Sequence, residues 1–280
     1  MTRIPRWAAA AAAATLALTL TACGGQATPA PSGTAGGAGG GEITIGIKFD
    51  QPGLGLQEGN DFTGFDVEVA RYVADRLGYD SVNFVEAKSP QRETMIQGDQ
   101  ATLIFATYSI TDARKEKVSF AGPYFIAGQD LLVRSEDTSI TGKDTLVGKR
   151  LCSVAGSTPA QKIKDEYPDV ELVEYDGYSK CVSALESGGV DALTTDNVIL
   201  AGYAAQPQYA GKLKVVGAPF STERYGVGLR KGDVALCERV NEALVEMVDS
   251  GAWKAALDKT VGTSGFTPDD RNPPEPDACA

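Results

Sequence analysis

The chain contains no histidine, which removes the commonest general base, proton shuttle and metal ligand. A serine or cysteine nucleophile would therefore need some other activator. No Gly-x-x-x-x-Gly-Lys phosphate loop occurs. Basic clusters are missing too: 26 Lys and Arg stand against 37 Asp and Glu, a formal charge of −11. That balance disfavours nucleic acid and anionic lipid as partners. It would also repel a small anion, so any anion site must carry its own local cations. Beyond Leu20 no apolar run approaches the length that spans a bilayer. The cysteines fit no zinc spacing, the more so without histidine. These absences argue for binding over catalysis, with no metal and no cofactor.

What is present begins at the N-terminus. Arg3 and Arg6, the apolar run Ala8–Leu20 and the small residues after it are the three parts of a secretory signal. Leu20-Thr21-Ala22-Cys23 resembles a bacterial lipobox. The resemblance implies that residues 1–22 are a signal peptide and that Cys23 is lipidated, anchoring the chain on the extracytoplasmic face of the cell membrane. Gly24–Gly41 is almost wholly Gly, Ala, Pro, Ser and Thr, without charge, and cannot bury a core. As a flexible tether it reaches on the order of 20–25 Å. Of the five cysteines, Cys152, Cys181, Cys237 and Cys279 then remain. An even number outside the cytoplasm predicts two disulfides, with three possible connectivities. Pairing near neighbours selects Cys152–Cys181 and Cys237–Cys279.

From Glu42 onward the patterning is that of an α/β protein of two domain-sized parts. Ile43–Phe49 reads as a strand and Phe62–Gly78 as an amphipathic helix, with Phe65, Val69, Val73 and Leu77 on one face. Val82–Glu86 is a second strand, Ser89-Pro90 starts a short helix that Gly98 closes, and Thr102–Ala106 is a third strand. This rhythm predicts a largely parallel sheet. A second set begins after about Gly128: strands Arg150–Val154, Glu171–Tyr175, Val190–Thr194 and Leu213–Val216 alternate with helices to about Tyr167, over Ser179–Ser187 and over Asp196–Ala205. Tyr225–Arg230 and the helices Val234–Ser250 and Trp253–Lys259 lack strands enough for a third domain and are expected to complete the first lobe. The expected organisation is lobe 1 over 42–125 plus 225–265, lobe 2 over 126–224, and a tail over 266–280 tied by a disulfide.

Ligands of open parallel sheets gather at the carboxyl ends of strands and at helix N-termini. Those places hold Lys48, Arg92, Thr107, Tyr108, Ser109, Arg114, Ser157, Thr158 and Asp196. Three cations, several hydroxyls and one carboxylate suit an amino acid with an acidic side chain.

Gly64-Phe65-Asp66-Val67-Glu68-Val69, then Ser109-Ile110-Thr111-Asp112-Ala113-Arg114 and Phe120-Ala121-Gly122-Pro123-Tyr124-Phe125, resemble the signature blocks of the extracellular solute-binding proteins of polar amino-acid ABC importers, family 3. The resemblance runs from about Ile43 to Thr260. The segments Lys48–Leu56, Gly156–Gln161 and Val190–Asp196 resemble actinobacterial glutamate-binding lipoproteins most closely. It implies a two-lobed periplasmic-binding-protein-like (type II) fold joined by two hinge crossovers, near Tyr124–Gly128 and Phe220–Tyr225. It implies that Arg114 grips the ligand α-carboxylate together with Ser109 and the Thr158 amide. Asp196 and the Thr107 carbonyl would hold the α-ammonium, and Lys48 and Arg92 would clamp a side-chain carboxylate. The aromatic that often stacks on the ligand aligns near Ser89, leaving Phe49 and Tyr108 as candidate wall residues. The implied role is a non-enzymatic monomer that binds L-glutamate and delivers it to a permease and its ATPase. Glutamine or aspartate specificity, a small-acid dehydratase and a ligand-sensing receptor module are the alternatives.

Overall fold

The computed structural model describes residues 40–280. The signal segment, Cys23 and the glycine-rich stretch up to residue 39 lie outside the described residues. Strand β1 (Glu42–Ile47) opens the fold and buries Ile43, Ile45 and Ile47. A small antiparallel sheet follows, formed by β2 (Asp50–Gln51), β3 (Gly55–Glu58) and β4 (Asp61–Thr63). Phe62, expected in the first helix, belongs to β4 instead. Gly64 separates the two elements: its φ is 118°, and a Cβ there would collide with the Leu54 backbone. Helix α1 (Phe65–Arg76) then buries Phe65, Val69 and Val73. Strand β5 (Ser81–Glu86) pairs parallel with β1. A 3-10 turn over Ser89–Gln91 leads into α2 (Arg92–Gln97), and β6 (Leu103–Phe105) pairs with the other side of β1.

After the single turn α3 (Asp112–Lys115) come two long strands that the sequence did not announce, β7 (Ser119–Ala127) and β8 (Gln129–Arg134). Gly122-Pro123 interrupts the first of them and masks its strand pattern. Proline is accommodated because β7 is the edge of its sheet, where a missing N–H breaks no ladder. Only Gly128 separates β7 from β8, and there the chain passes into a second sheet. That part comprises β9 (Arg150–Val154), α4 (Thr158–Glu166), β10 (Glu171–Tyr175), α5 (Tyr178–Glu186), β11 (Ala192–Asp196), α6 (Asn197–Ala204) and β12 (Leu213–Val215). The chain returns through β13 (Glu223–Leu229), α7 (Val234–Asp249) and α8 (Ala252–Lys259). No helix among the described residues is long and apolar enough to cross a membrane.

The two sheets share one plan, β5-β1-β6-β13-β7 and β10-β9-β11-β8-β12. In each, the first three strands are parallel. The fourth place is taken by the strand that crosses over from the other lobe, β13 or β8, and it runs antiparallel. Both sheets are therefore mixed, with the parallel character confined to three neighbouring strands. A strand arriving from the other lobe must lead away from the junction, whereas the parallel strands run toward it. Their carboxyl ends consequently converge where the lobes meet.

Two disulfides close the fold. Cys152 on β9 is bonded to Cys181 on α5, fixing a helix to its sheet with a Cα–Cα distance of 5.6 Å. Cys237 on α7 is bonded to Cys279, with a Cα–Cα distance of 5.9 Å. The tail so held runs along the β7 edge: the Asn272 side chain bonds both the N–H and the carbonyl of Ile126, and Asp277 N–H donates to the Gly122 carbonyl.

Candidate ligand-binding site

Lys48, at the end of β1, is buried, and its Nζ donates to Ser89 Oγ at 2.9 Å. Arg92, the first residue of α2, is 2 % exposed. Its guanidinium donates to the Ser89 and Ala106 carbonyls at 3.3 and 3.2 Å and lies 4.1 Å from the Tyr108 ring centroid. Arg114, in α3, donates to the Ser109 carbonyl at 2.8 Å and packs on the same ring at 5.0 Å. Among the described residues these cations make one ion pair, between Arg114 Nε and Glu93 Oε1 at 3.5 Å. Three cations thus share one poorly solvated region. Burial, with Arg92 next, lowers the Lys48 pKa from 10.5 to about 7. Burial, then Arg114, lowers that of Arg92 to about 10.

The facing lobe contributes the ends of β9 and β11. Ser157 caps α4 by accepting from Ala160 N–H, which leaves the neighbouring Thr158 side chain for another task. Thr158 Oγ1 lies 3.0 Å from Ser109 Oγ, and Arg114 Nη2 donates to the Gly156 carbonyl at 3.2 Å. Both contacts join the lobes. Asp196 stands at the N-cap position of α6 but makes no capping bond; Asn197 Oδ1 accepts from Val198 N–H instead. The Asp196 carboxylate accepts from Tyr225 Oη at 2.6 Å through Oδ2, while Oδ1 is buried with no hydrogen-bond partner among the described residues. Burial, with the charge of Glu223 next, raises its pKa to about 8.

Thr107 stands between these groups with φ at 45°, unusual for a β-branched residue. Asp66, on α1, fixes it by accepting the Thr107 N–H at 2.9 Å through Oδ2, and Tyr124 Oη bonds the other oxygen at 2.7 Å. Strain of this kind persists where the surroundings over-determine the backbone, and it is typical of ligand clamps.

The structure brings Lys48, Arg92, Ser109 and Arg114 together on one lobe and Thr158 and Asp196 on the other. It does not place the two wall candidates with them in the same way. Phe49 packs on Phe62 with ring centroids 5.2 Å apart, in the hairpin layer. Tyr108 is fully buried among Ala87, Met95 and Ile96, so its ring supports the two guanidiniums from the core side. Glu93, Asp66, Gln51 and Tyr225 were missed. Asp66 lies in a motif that reads as a helix start, and Tyr225 reaches Asp196 only through the return crossover, so neither carries a local signal.

Residues 43–263 match the family model described as bacterial extracellular solute-binding proteins, family 3. The glutamate-binding protein GluB of Corynebacterium efficiens is 48 % identical over 235 residues, covering 79 % of each chain. The ABC transporter glutamine-binding protein GlnH of Bacillus subtilis is 34 % identical, over 79 % of this chain and 81 % of its own. Among solved structures, an ancestral arginine-binding protein bound to arginine superposes with a TM-score of 0.74 at 33 % identity, over 79 % of this chain and 98 % of its own. Two mixed sheets exchanging one strand each, opposed charges where they meet and these relatives agree: the chain belongs to the bacterial extracellular solute-binding proteins of family 3.

Proposed function

We propose that this protein binds L-glutamate outside the cytoplasmic membrane and delivers it to an ABC permease. In this reading it works as a monomer tethered through a lipid on Cys23. The observation that carries the ligand is the charge arrangement: Lys48, Arg92 and Arg114 buried on one lobe, opposite Asp196 with one carboxylate oxygen unpartnered. An α-carboxylate accepted by Arg114, Ser109 and the Thr158 amide, and an α-ammonium between Asp196 and the Thr107 carbonyl, leave Lys48 and Arg92 for a second carboxylate. A bidentate guanidinium–carboxylate pair supplies both strength and orientation. A neutral side chain would leave two buried cations uncompensated, which is costly. The name of the Corynebacterium relative supports glutamate; that of the Bacillus relative keeps glutamine as the comparison ligand. Ligand contacting both lobes favours the closed arrangement by its differential affinity for that state.

Isothermal titration of the purified chain with glutamate, aspartate and glutamine tests this. Micromolar or tighter glutamate binding, with glutamine much weaker, is expected. Glutamine binding alone would keep the family role and discard the Lys48–Arg92 clamp.

A further inference from the structure

Helix α5 begins without a cap from its own lobe. Gly177 holds the N-cap position and has no side chain to offer. The Asp176 carboxylate before it is paired with Lys180 at 2.6 Å and with Lys88 at 3.0 Å. The amides of a first helical turn nevertheless need acceptors. Here the acceptor comes from the other lobe: Asp50 Oδ2 accepts from the Ser179 N–H at 3.2 Å and from the Ser179 hydroxyl at 3.3 Å. Both sides of this contact are held in place. Asp50 belongs to the two-residue strand β2, paired with β3, and its neighbour Gln51 is completely buried, with Oε1 3.2 Å from Thr107 Oγ1. Helix α5 is tied to β9 through Cys181. The Asp50 carbonyl accepts from Tyr203 Oη on α6, so two helices of lobe 2 converge on one residue of lobe 1. The approach is close, since a Cβ at Gly177 would meet Asp50 Oδ2 at 2.6 Å.

Asp50 and Ser179 are 129 residues apart and on different lobes, so the cap exists where the lobes meet and gives way to water when they part. A carboxylate at a helix N-terminus is favourable both through its hydrogen bonds and through the helix dipole. We propose that Asp50 is a positioning residue that caps α5 in trans and thereby holds the lobes closed, whichever ligand lies between them. The inference rests on the reading above, in which ligand is held between two closing lobes, and adds to it a closing interaction that owes nothing to the ligand. Ligand contacts decide which amino acid is accepted. The trans cap raises the affinity for each by the same factor and slows its release.

The test is calorimetric titration of the full chain with glutamate and with aspartate, in Asp50→Ala, Asp50→Asn, Gly177→Ala and the double variant Asp50→Ala with Gly177→Ala. Asp50→Ala should weaken both ligands by one common factor of about 3- to 30-fold, the range that loss of an N-cap covers. Asparagine caps helices as well as aspartate does, so Asp50→Asn should restore most of that loss. It also removes the charge that acts on Lys48, which separates the cap from that electrostatic effect. Gly177 lies on extended backbone that alanine can adopt, with φ −153° and ψ 151°. A methyl there would push the carboxylate off the amides and reproduce the loss seen in Asp50→Ala, with no further loss in the double variant. Unaltered affinity in Asp50→Ala would overturn the proposal. So would equal losses in Asp50→Ala and Asp50→Asn, a loss confined to one ligand, or losses that add in the double variant. If the unaltered chain binds neither amino acid, the parent reading fails instead, and that failure shows before any variant is compared.

Discussion

At the scale of single residues, the site is a set of charges held away from water before any ligand arrives. Arg114 uses two of its five N–H donors on the Ser109 and Gly156 carbonyls, contacts that orient the guanidinium and leave donors for a ligand. Arg114→Ala should cost on the order of 2–5 kcal/mol of glutamate binding, because a ligand carboxylate would be left buried and unpaired. Calorimetry reads this directly, and near-wild-type affinity would remove Arg114 from the site. The perturbed groups also predict proton exchange. Near pH 6, Lys48 is already charged, its pKa being about 7, while Asp196, with a pKa of about 8, is protonated. A bound ammonium recruits the Asp196 carboxylate, so binding at that pH should release about one proton. Above about pH 8.5, Lys48 is neutral in the free protein and must gain its proton to meet a carboxylate, so binding should take up protons on balance. Titrations in buffers of different ionisation enthalpy should show the sign reverse between these limits. A constant sign would contradict the pairing of the two groups with opposite ends of the ligand.

At the scale of elements, the site depends on how strands end and helices begin. Gly64 is the joint between β4 and α1, and α1 carries the Asp66 that fixes Thr107. With a positive φ and the Leu54 backbone against it, the position has no room for a side chain. Gly64→Ala should destabilise the protein by more than about 2 kcal/mol, seen as a lower denaturation midpoint. An unchanged midpoint would mean that the joint can relax. The Cys152–Cys181 bond acts at the same scale, closing a loop between β9 and α5 worth about 3–4 kcal/mol on the chain-entropy model.

At the scale of the whole molecule, function is the relation between two lobes. Lys88 on lobe 1 pairs with Asp176 on lobe 2 at 3.0 Å, but both are half-exposed, and such a pair contributes little. Close backbone packing is more demanding. Gly202, inside α6, packs against the Pro52 backbone of the opposite lobe, where a Cβ would overlap the Pro52 carbonyl oxygen. Alanine is the better helix former by up to about 1 kcal/mol, but its methyl would be forced onto the Pro52 carbonyl, so Gly202→Ala should destabilise the arrangement in which these two surfaces touch. Closure would be obstructed, and glutamate affinity should fall at least about tenfold. Small-angle scattering should then show no contraction on adding glutamate. Contraction and affinity like those of the unaltered chain would sink this account of closure.

The sequence by itself determined the α/β rhythm, most helices to within two residues, and the cations, hydroxyls and carboxylate at strand ends. It could do so because periodicity and capping are local: Phe65, Val69 and Val73 share a face whatever surrounds them. The blocks Gly64–Val69 and Ser109–Arg114 carried the family. Only the tertiary structure decided the rest. Strands β7 and β8 owe their state to sheet position, with Gly122-Pro123 tolerated because β7 is an edge. By sequence Asp196 suits a helix cap as well as a ligand group, and only Tyr225, arriving from the return crossover, occupies one of its oxygens and leaves the other unpartnered among the described residues. In each case the deciding neighbour lies tens of residues away, and whether a buried polar atom is satisfied depends on every neighbour in space rather than on those along the chain.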